Sequence, residues 1–205
     1  MRVPAGDSWG TPVRRGTSVN VIAEPKGFDA RKPYVVIGAH LDTVPVAPGA
    51  EDNASGIAVM LQLAEMVSQQ PAAFPVQFIA FGAEEPRGSG DALHHFGSRQ
   101  FVADLSRSER RAIQAMVSLD RVGVPAGYVP ICTADTKGNR LRDAIRAAAR
   151  RAEIDTRACS NRTSDHWSYA KAGVSSSPAR QAYLMRATTL GATCHASSTG
   201  ASLIG

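Results

Sequence analysis

One histidine and four carboxylates stand where the apolar runs of this chain stop, and a fifth carboxylate stands where a periodic stretch begins. Pro33-Tyr-Val-Val-Ile-Gly-Ala leads into His40-Leu-Asp42, and Pro75-Val-Gln-Phe-Ile-Ala-Phe81 leads into Gly82-Ala-Glu84-Glu85. Ala115-Met-Val-Ser-Leu ends in Asp120, and Asp52 opens the next periodic stretch. Carboxylates gathered without counter-charge raise one another's pKa, and a divalent cation is the simplest neutraliser of so many. Imidazole with carboxylates and no thiolate suits Zn²⁺, with Mn²⁺ or Co²⁺ as substitutes. A carboxylate at a helix start can bridge two ions, each completed by one histidine and one further carboxylate. Two metals roughly 3.5–4 Å apart polarise a carbonyl and hold a shared hydroxide, with bound water ionising near pH ~7. A glutamate beside a ligand glutamate can take the proton and pass it to a leaving amine.

Taken singly, each piece has a plainer explanation. His-x-Asp is a capped turn, Glu84-Glu85 a surface pair, Asp52-Asn-Ala-Ser-Gly a helix cap, and Asp120 a loop acceptor. Taken together, in this order and each at an element boundary, they read as one metal centre. His94-His95 fall inside a predicted helix with no acidic partner at ligand spacing and read as structural. There is no His-Glu-x-x-His, no phosphate-binding glycine loop and no Gly-x-Ser-x-Gly elbow.

The elements that must position these groups follow from periodicity. Thr17–Glu24, Pro33–His40, Pro75–Phe81, Ala115–Asp120 and Asp155–Cys159 read as strands. A helix opens at Asp52 and buries Ile57, Met60, Leu61, Ala64 and Val67 on one face. Further helices are predicted over Ala92–Ala103, Arg107–Gln114 with Ser106 as N-cap, and Arg140–Ala152. Strands alternating with helices predict an α/β fold with a mostly parallel sheet, in which ligands gather outside the carboxyl ends of the strands.

A chain of 205 residues fits one such domain. The net charge of +5 is concentrated in Arg140, Arg142, Arg146, Arg150 and Arg151, at helical spacing without aromatic interleaving. That pattern is a solvated helix face, and no nucleic-acid partner is expected. No apolar run reaches the ~20 residues that span a bilayer, and Met1-Arg-Val-Pro-Ala-Gly-Asp-Ser lacks the apolar stretch of a signal peptide. Cys132, Cys159 and Cys194 are too few and too scattered for a disulfide framework or a cysteine zinc site, so the compartment stays open.

Asn20-Val-Ile-Ala-Glu, Gly38-Ala-His40-Leu-Asp42-Thr-Val, Glu51-Asp52-Asn-Ala-Ser-Gly56, Phe81-Gly-Ala-Glu84-Glu85, Leu119-Asp120-Arg-Val-Gly123 and Ser164-Asp165-His166 resemble metallopeptidase family twenty-eight. That family holds di-zinc leucyl aminopeptidases, glutamate carboxypeptidase II, glutaminyl cyclases and the zinc-free transferrin receptors. The resemblance covers residues 17 to 177 and implies a three-layer zinc-exopeptidase domain over 1–177, with an atypical tail over 178–205. It implies two zinc ions and hydrolysis of a peptide bond at a chain end, usually releasing an N-terminal residue. His40 would bind one zinc, with Asp42 as the carboxylate that orients it. Asp52 would bridge, Glu84 would be the general base, Glu85 a ligand beside it, and Asp120 a ligand of the other zinc. Asp165 and His166 would line the substrate pocket. Asp52-Asn-Ala-Ser-Gly disfavours the aminoacylase-like zinc family, where the bridging aspartate is usually followed by Met-Lys-Gly.

The tail departs from the family. A final histidine ligand in a Tyr-His-Ser/Thr-x-x-Asp pattern is expected and is absent, and His195 lacks that context. No acidic residue follows Asp165, and no strand or helix period is legible from Ser175. A shifted reading frame accounts for both features. Codon degeneracy permits Ala-Gly-Tyr-His-Ser-Gly-Arg-Asp across Met185 to Thr193, which predicts a single-base change near codons 174 to 180. The nineteen residues before Asn20 are also too few for the helical segment that family members carry there, so the natural start is expected to be missing. The alternative to an active enzyme is a truncated member that keeps the fold and binds one zinc or none.

Overall fold

The β-branched and aromatic runs bury both faces of one sheet. The computed structural model describes residues 1–70, 72–134, 139–174 and 181–184. Four short strands come first: β1 (Arg2–Val3), β2 (Gly6–Ser8), β3 (Thr11–Val13) and β4 (Gly16–Thr17). They pair as two small antiparallel ribbons, β1 with β4 and β2 with β3. The main sheet is built from β5 (Val21–Ala23), β6 (Tyr34–His40), β7 (Val76–Phe81), β8 (Ile113–Leu119), β9 (Val129–Thr133), β10 (Thr156–Ser160) and β11 (Gln181–Leu184). Its order is β10-β9-β11-β8-β6-β7-β5. The pairs β6–β7, β6–β8, β8–β11 and β9–β10 are parallel, while β5–β7 and β9–β11 are antiparallel.

Alternate residues of each central strand serve alternate faces. Tyr34, Val36, Ile79, Phe81 and Met116 join Val102, Tyr169 and Val174 in one core cluster. Ala39, Val76, Phe78 and Leu119 join Met60 in the other. Helix α1 (Ser55–Gln69) covers this second face, and α2 (Phe96–Asp104) and α5 (His166–Lys171) cover the first. The result is the expected three-layer, mostly parallel α/β fold. Helices α3 (Arg107–Ala112) and α4 (Arg140–Arg151) complete the set. Ser106 caps α3 in a reciprocal box with Glu109. No residue of α4 is fully buried, but the solvated face read above holds only for Arg140, Arg150 and Arg151: Arg142 is 12% exposed and donates to Thr133 Oγ1, and Arg146 donates to Thr156 Oγ1. Among the described residues no helix is long and apolar enough to cross a membrane.

Several expectations need correction. Leu61 is 62% exposed, and Leu63 packs in its place; one residue is about 100° of helix rotation, so a neighbour of buried Met60 turns outward. The predicted strand over Thr17–Glu24 is two pieces, β4 and β5. The helix predicted from Ala92 begins only at Phe96. A single turn at Asp91–Leu93 and a left-handed His95 (φ 55) interrupt it. Cys132 and Cys159 form a disulfide between paired positions of β9 and β10, a pairing that their distance in sequence concealed. The segment after Ser175, read as having no strand, contributes β11 between β8 and β9. The remainder of the tail, with His195 and the proposed frame change, lies outside the described residues.

Candidate metal centre

Three parallel strands release their chains at one rim. β6 ends on His40, which is paired in register with Phe81, the last residue of β7. Glu84 and Glu85 follow β7 directly, and Asp120 follows β8. Asp52 comes from the irregular turn Ala50–Ala54 that precedes α1. That turn is anchored from below by Asn53. Its buried amide donates to the Leu119 carbonyl (2.9 Å), and its Oδ1 accepts from the backbone of Gly56 (3.0 Å) and Arg121 (3.2 Å). A Cβ at position 56 would meet Asn53 Oδ1 at 2.4 Å and the Leu119 carbonyl oxygen at 2.5 Å, so only glycine lets the three elements close. Asn53 therefore ties the Asp52 turn to the strand that delivers Asp120.

His40 is the hub. Its Nδ1–H donates to the Asp42 carbonyl at 3.0 Å, since a carbonyl only accepts. That fixes the tautomer and leaves the Nε2 lone pair for a cation. Asp52 Oδ1 lies 3.0 Å and Asp120 Oδ1 3.4 Å from Nε2. Potential ligand atoms of His40, Asp52 and Glu85 fall within 4.8 Å of one another, as do those of His40, Glu84 and Asp120. The Asp42 carboxylate does something the sequence did not foretell. It accepts from the backbone N–H of Glu84 (2.9 Å) and Glu85 (3.1 Å), and stands 3.9 Å from His40 Nδ1. Asp42 orients His40 through its carbonyl and holds the Glu84-Glu85 turn through its side chain.

The charge balance is unfavourable without a cation. Burial, and then the charges of Asp120, Asp42 and Asp52, push Glu84 well above the usual carboxylate range against the pull of His40. Burial and Glu84 push Glu85 up to about 9. Burial opposes protonation of His40, but Glu84 and the hydrogen bonds to Asp120 and Asp52 raise it overall. Glu85 Oε1 is buried with no hydrogen bond among the described residues. An acceptor sealed without a donor, beside an imidazole and further carboxylates, fits a divalent cation, and these donors suit zinc.

Stability should therefore depend on metal and pH together. Glu84, Glu85 and His40 are all raised, so the folded metal-free chain holds protons that the unfolded chain has released. Stability then falls as pH rises through the folded values. His166, lowered by burial to about 4, acts in the opposite sense only below its unfolded value near ~6.5. Chelated protein is expected to melt at progressively lower temperature as pH rises from about 6.5 toward 9. Zinc at 100 times its Kd should restore about 2.7 kcal/mol per site, roughly 5–10 °C for a chain this size. Thermal denaturation across that window checks it; a flat metal-free profile contradicts it.

Asp165 and His166 were expected to line the substrate pocket. Both are fully buried, with His166 Nε2 donating to the Asn161 carbonyl at 2.9 Å. Burial and then the charge of Glu84 push Asp165 up to about 7. His95, read as a helix-interior residue, instead puts Nε2 3.3 Å from Glu84 Oε1. No spacing rule could have found it, because the approach depends on the left-handed turn that breaks the predicted helix.

Parallel strands thus deliver a histidine and carboxylates to one rim of a three-layer α/β sheet, a set of donors suited to a metal ion. The chain belongs to peptidase family M28, whose profile matches residues 20–198. It is 34% identical over 165 residues to aminopeptidase YwaD of Bacillus subtilis, covering 78% of this chain and 35% of that protein. It also resembles the solved structure of BSAP, a zinc aminopeptidase from Bacillus subtilis, with TM-score 0.69 and 30% identity over 83% of this chain and 40% of that one. The aminopeptidase from Aneurinibacillus sp. strain AM-1 gives TM-score 0.68 and 32% identity over 82% of this chain and 38% of that one. The chain spans between 20% and 36% of the length of the first curated relatives it matches.

Proposed function

We propose that residues 1–177 are the catalytic domain of a two-zinc exopeptidase, an aminopeptidase that hydrolyses N-terminal peptide bonds. One observation carries this reading: His40 Nε2, freed by its Nδ1 bond, faces the carboxylates of Asp52 and Asp120, with Glu84 and Glu85 in reach. Its similarity to proteins named as aminopeptidases supports the substrate class. His40, Asp52, Glu85 and Asp120 would hold the metal, with Asp52 shared. Bound zinc supplies Lewis acidity toward the scissile carbonyl and lowers the pKa of water. Glu84 takes the proton of the attacking water as that oxygen bonds to the carbonyl carbon. It gives the proton to the amine nitrogen as the C–N bond breaks, and leaves the cycle ionised again.

A second reading is favoured by a specific observation. Both ligand groups among the described residues use the same histidine, His40. A second ion would need its histidine from the tail, where His195 and the shifted-frame motif both lie. Without it the chain is a fold-retaining member with one zinc or none.

Metal analysis of the gel-filtered chain, with hydrolysis of leucine p-nitroanilide before and after chelation, separates the readings. Two zinc ions per chain and chelator-sensitive hydrolysis support the enzyme. One ion or none without turnover supports the impaired member, and resequencing the coding DNA from codon 165 to the stop then decides whether the tail is in frame. Cyclisation of N-terminal glutamine in place of hydrolysis would move the chain to the cyclases.

A further inference from the structure

His95 is 2% exposed, and neither ring nitrogen has a well-formed hydrogen bond among the described residues. A buried imidazole left in that state is costly unless a partner engages it. The Thr163 backbone and the Asp165 carboxylate lie near the ring, and the carboxylate within ion-pair distance is that of Glu84, with Nε2 3.3 Å from Oε1. Hydrogen bonds at catalytic groups are often long in the unliganded protein and tighten with substrate bound.

The backbone is arranged to make this approach. Ala83 (φ 54) and His95 (φ 55) both take the left-handed conformation, which is uncommon for residues other than glycine. Two hydrogen bonds lock the turns together: His95 N donates to the Glu84 carbonyl and Phe96 N to the Ala83 carbonyl, each at 2.9 Å. From behind, Arg99 N donates to the His95 carbonyl at 3.0 Å, and Ser98 Oγ donates to Ser168 Oγ at 2.8 Å, fixing α2 on α5. Two left-handed residues facing one another cost conformational energy, and such cost concentrates at functional sites.

We propose that His95 is a positioning residue for Glu84. Its Nε2–H holds Oε1 of the Glu84 carboxylate, leaving Oε2 to take the proton from water and return it to the amine. The proposal rests on the reading of Glu84 as the proton carrier. His95 itself exchanges no proton in the cycle and touches no reacting atom.

Two side-chain replacements separate position from structure. Asparagine tolerates the left-handed backbone, but its amide reaches only as far as the Nδ1 position. Glutamine carries an N–H out to the Nε2 position. His95→Asn is expected to lower kcat by up to about 100-fold, with KM and zinc content unchanged, and His95→Gln to recover most of that loss. An undiminished kcat in His95→Asn overturns the proposal, as does a loss that glutamine leaves unrepaired. Independently of turnover, the long-range ¹H–¹⁵N spectrum of the zinc-loaded chain with ¹⁵N-labelled histidine reads the contact. The His95 resonances, assigned by their loss in His95→Gln, should show a protonated Nε2 that shifts in Glu84→Gln. An unprotonated Nε2, or one indifferent to that change, overturns it. If the chain proves inactive, this spectrum alone decides. If Glu84→Gln keeps full turnover while Nε2 shifts, the contact stands and the role of Glu84 falls.

Discussion

Glu84→Gln is expected to keep the zinc content of the chain and lower kcat by about 10²–10⁴-fold, the usual contribution of a positioned proton carrier. Glutamine matches glutamate in shape, so the burial of residue 84 and its packing persist. The turn persists too, because the Asp42 carboxylate grips residues 84 and 85 by their backbone N–H groups and not by their side chains. What disappears is a site that can accept a proton from water. Zinc analysis and kcat on the same preparation check it. Zinc retained with undiminished turnover removes Glu84 as base. Zinc lost with turnover would make Glu84 a ligand, which its place beside His40 and Asp120 also permits geometrically.

The site's main groups were legible because a parallel sheet simplifies the problem. Strands that run the same way end on the same rim, so residues at the ends of three apolar runs had to converge whatever the loops did. His40, Glu84, Glu85 and Asp120 needed nothing more. Asp52 was readable because the start of α1 lies between two of those strands in the chain. What stayed hidden depends on details that periodicity does not carry. The two functions of Asp42 rest on which of its atoms, carbonyl or carboxylate, meets which neighbour. The approach of His95 rests on two left-handed residues, Ala83 and His95, whose identities do not announce that conformation. Leu61 shows the limit of periodicity itself, since an apolar residue beside a buried one is not thereby buried. β11 has no alternation of its own. It forms a strand by inserting between β8 and β9, a tertiary effect that local propensity does not report.

Asp52→Ala should abolish zinc binding altogether, an effect larger than that of removing any ligand serving one ion. Asp52 Oδ1 is 3.0 Å from His40 Nε2 and shares a ligand group with Glu85, while Asp120 Oδ1 is 3.4 Å from the same nitrogen and shares a group with Glu84. If Asp52 is shared by two ions, as proposed, its carboxylate would offset their repulsion and its loss would weaken both sites together. On the same reading Asp120→Ala would remove a ligand from one site only, and it is the comparison. The anchor of the turn belongs to Asn53, which neither change touches. A folded, metal-free Asp52→Ala is therefore expected, with the falling pH–stability profile of the chelated protein. Zinc counted after gel filtration checks it: two ions retained by Asp52→Ala would show that Asp52 does not bridge. One ion retained would place it on a single site, and the shared-carboxylate architecture would have to be redrawn around Glu84 or Asp120.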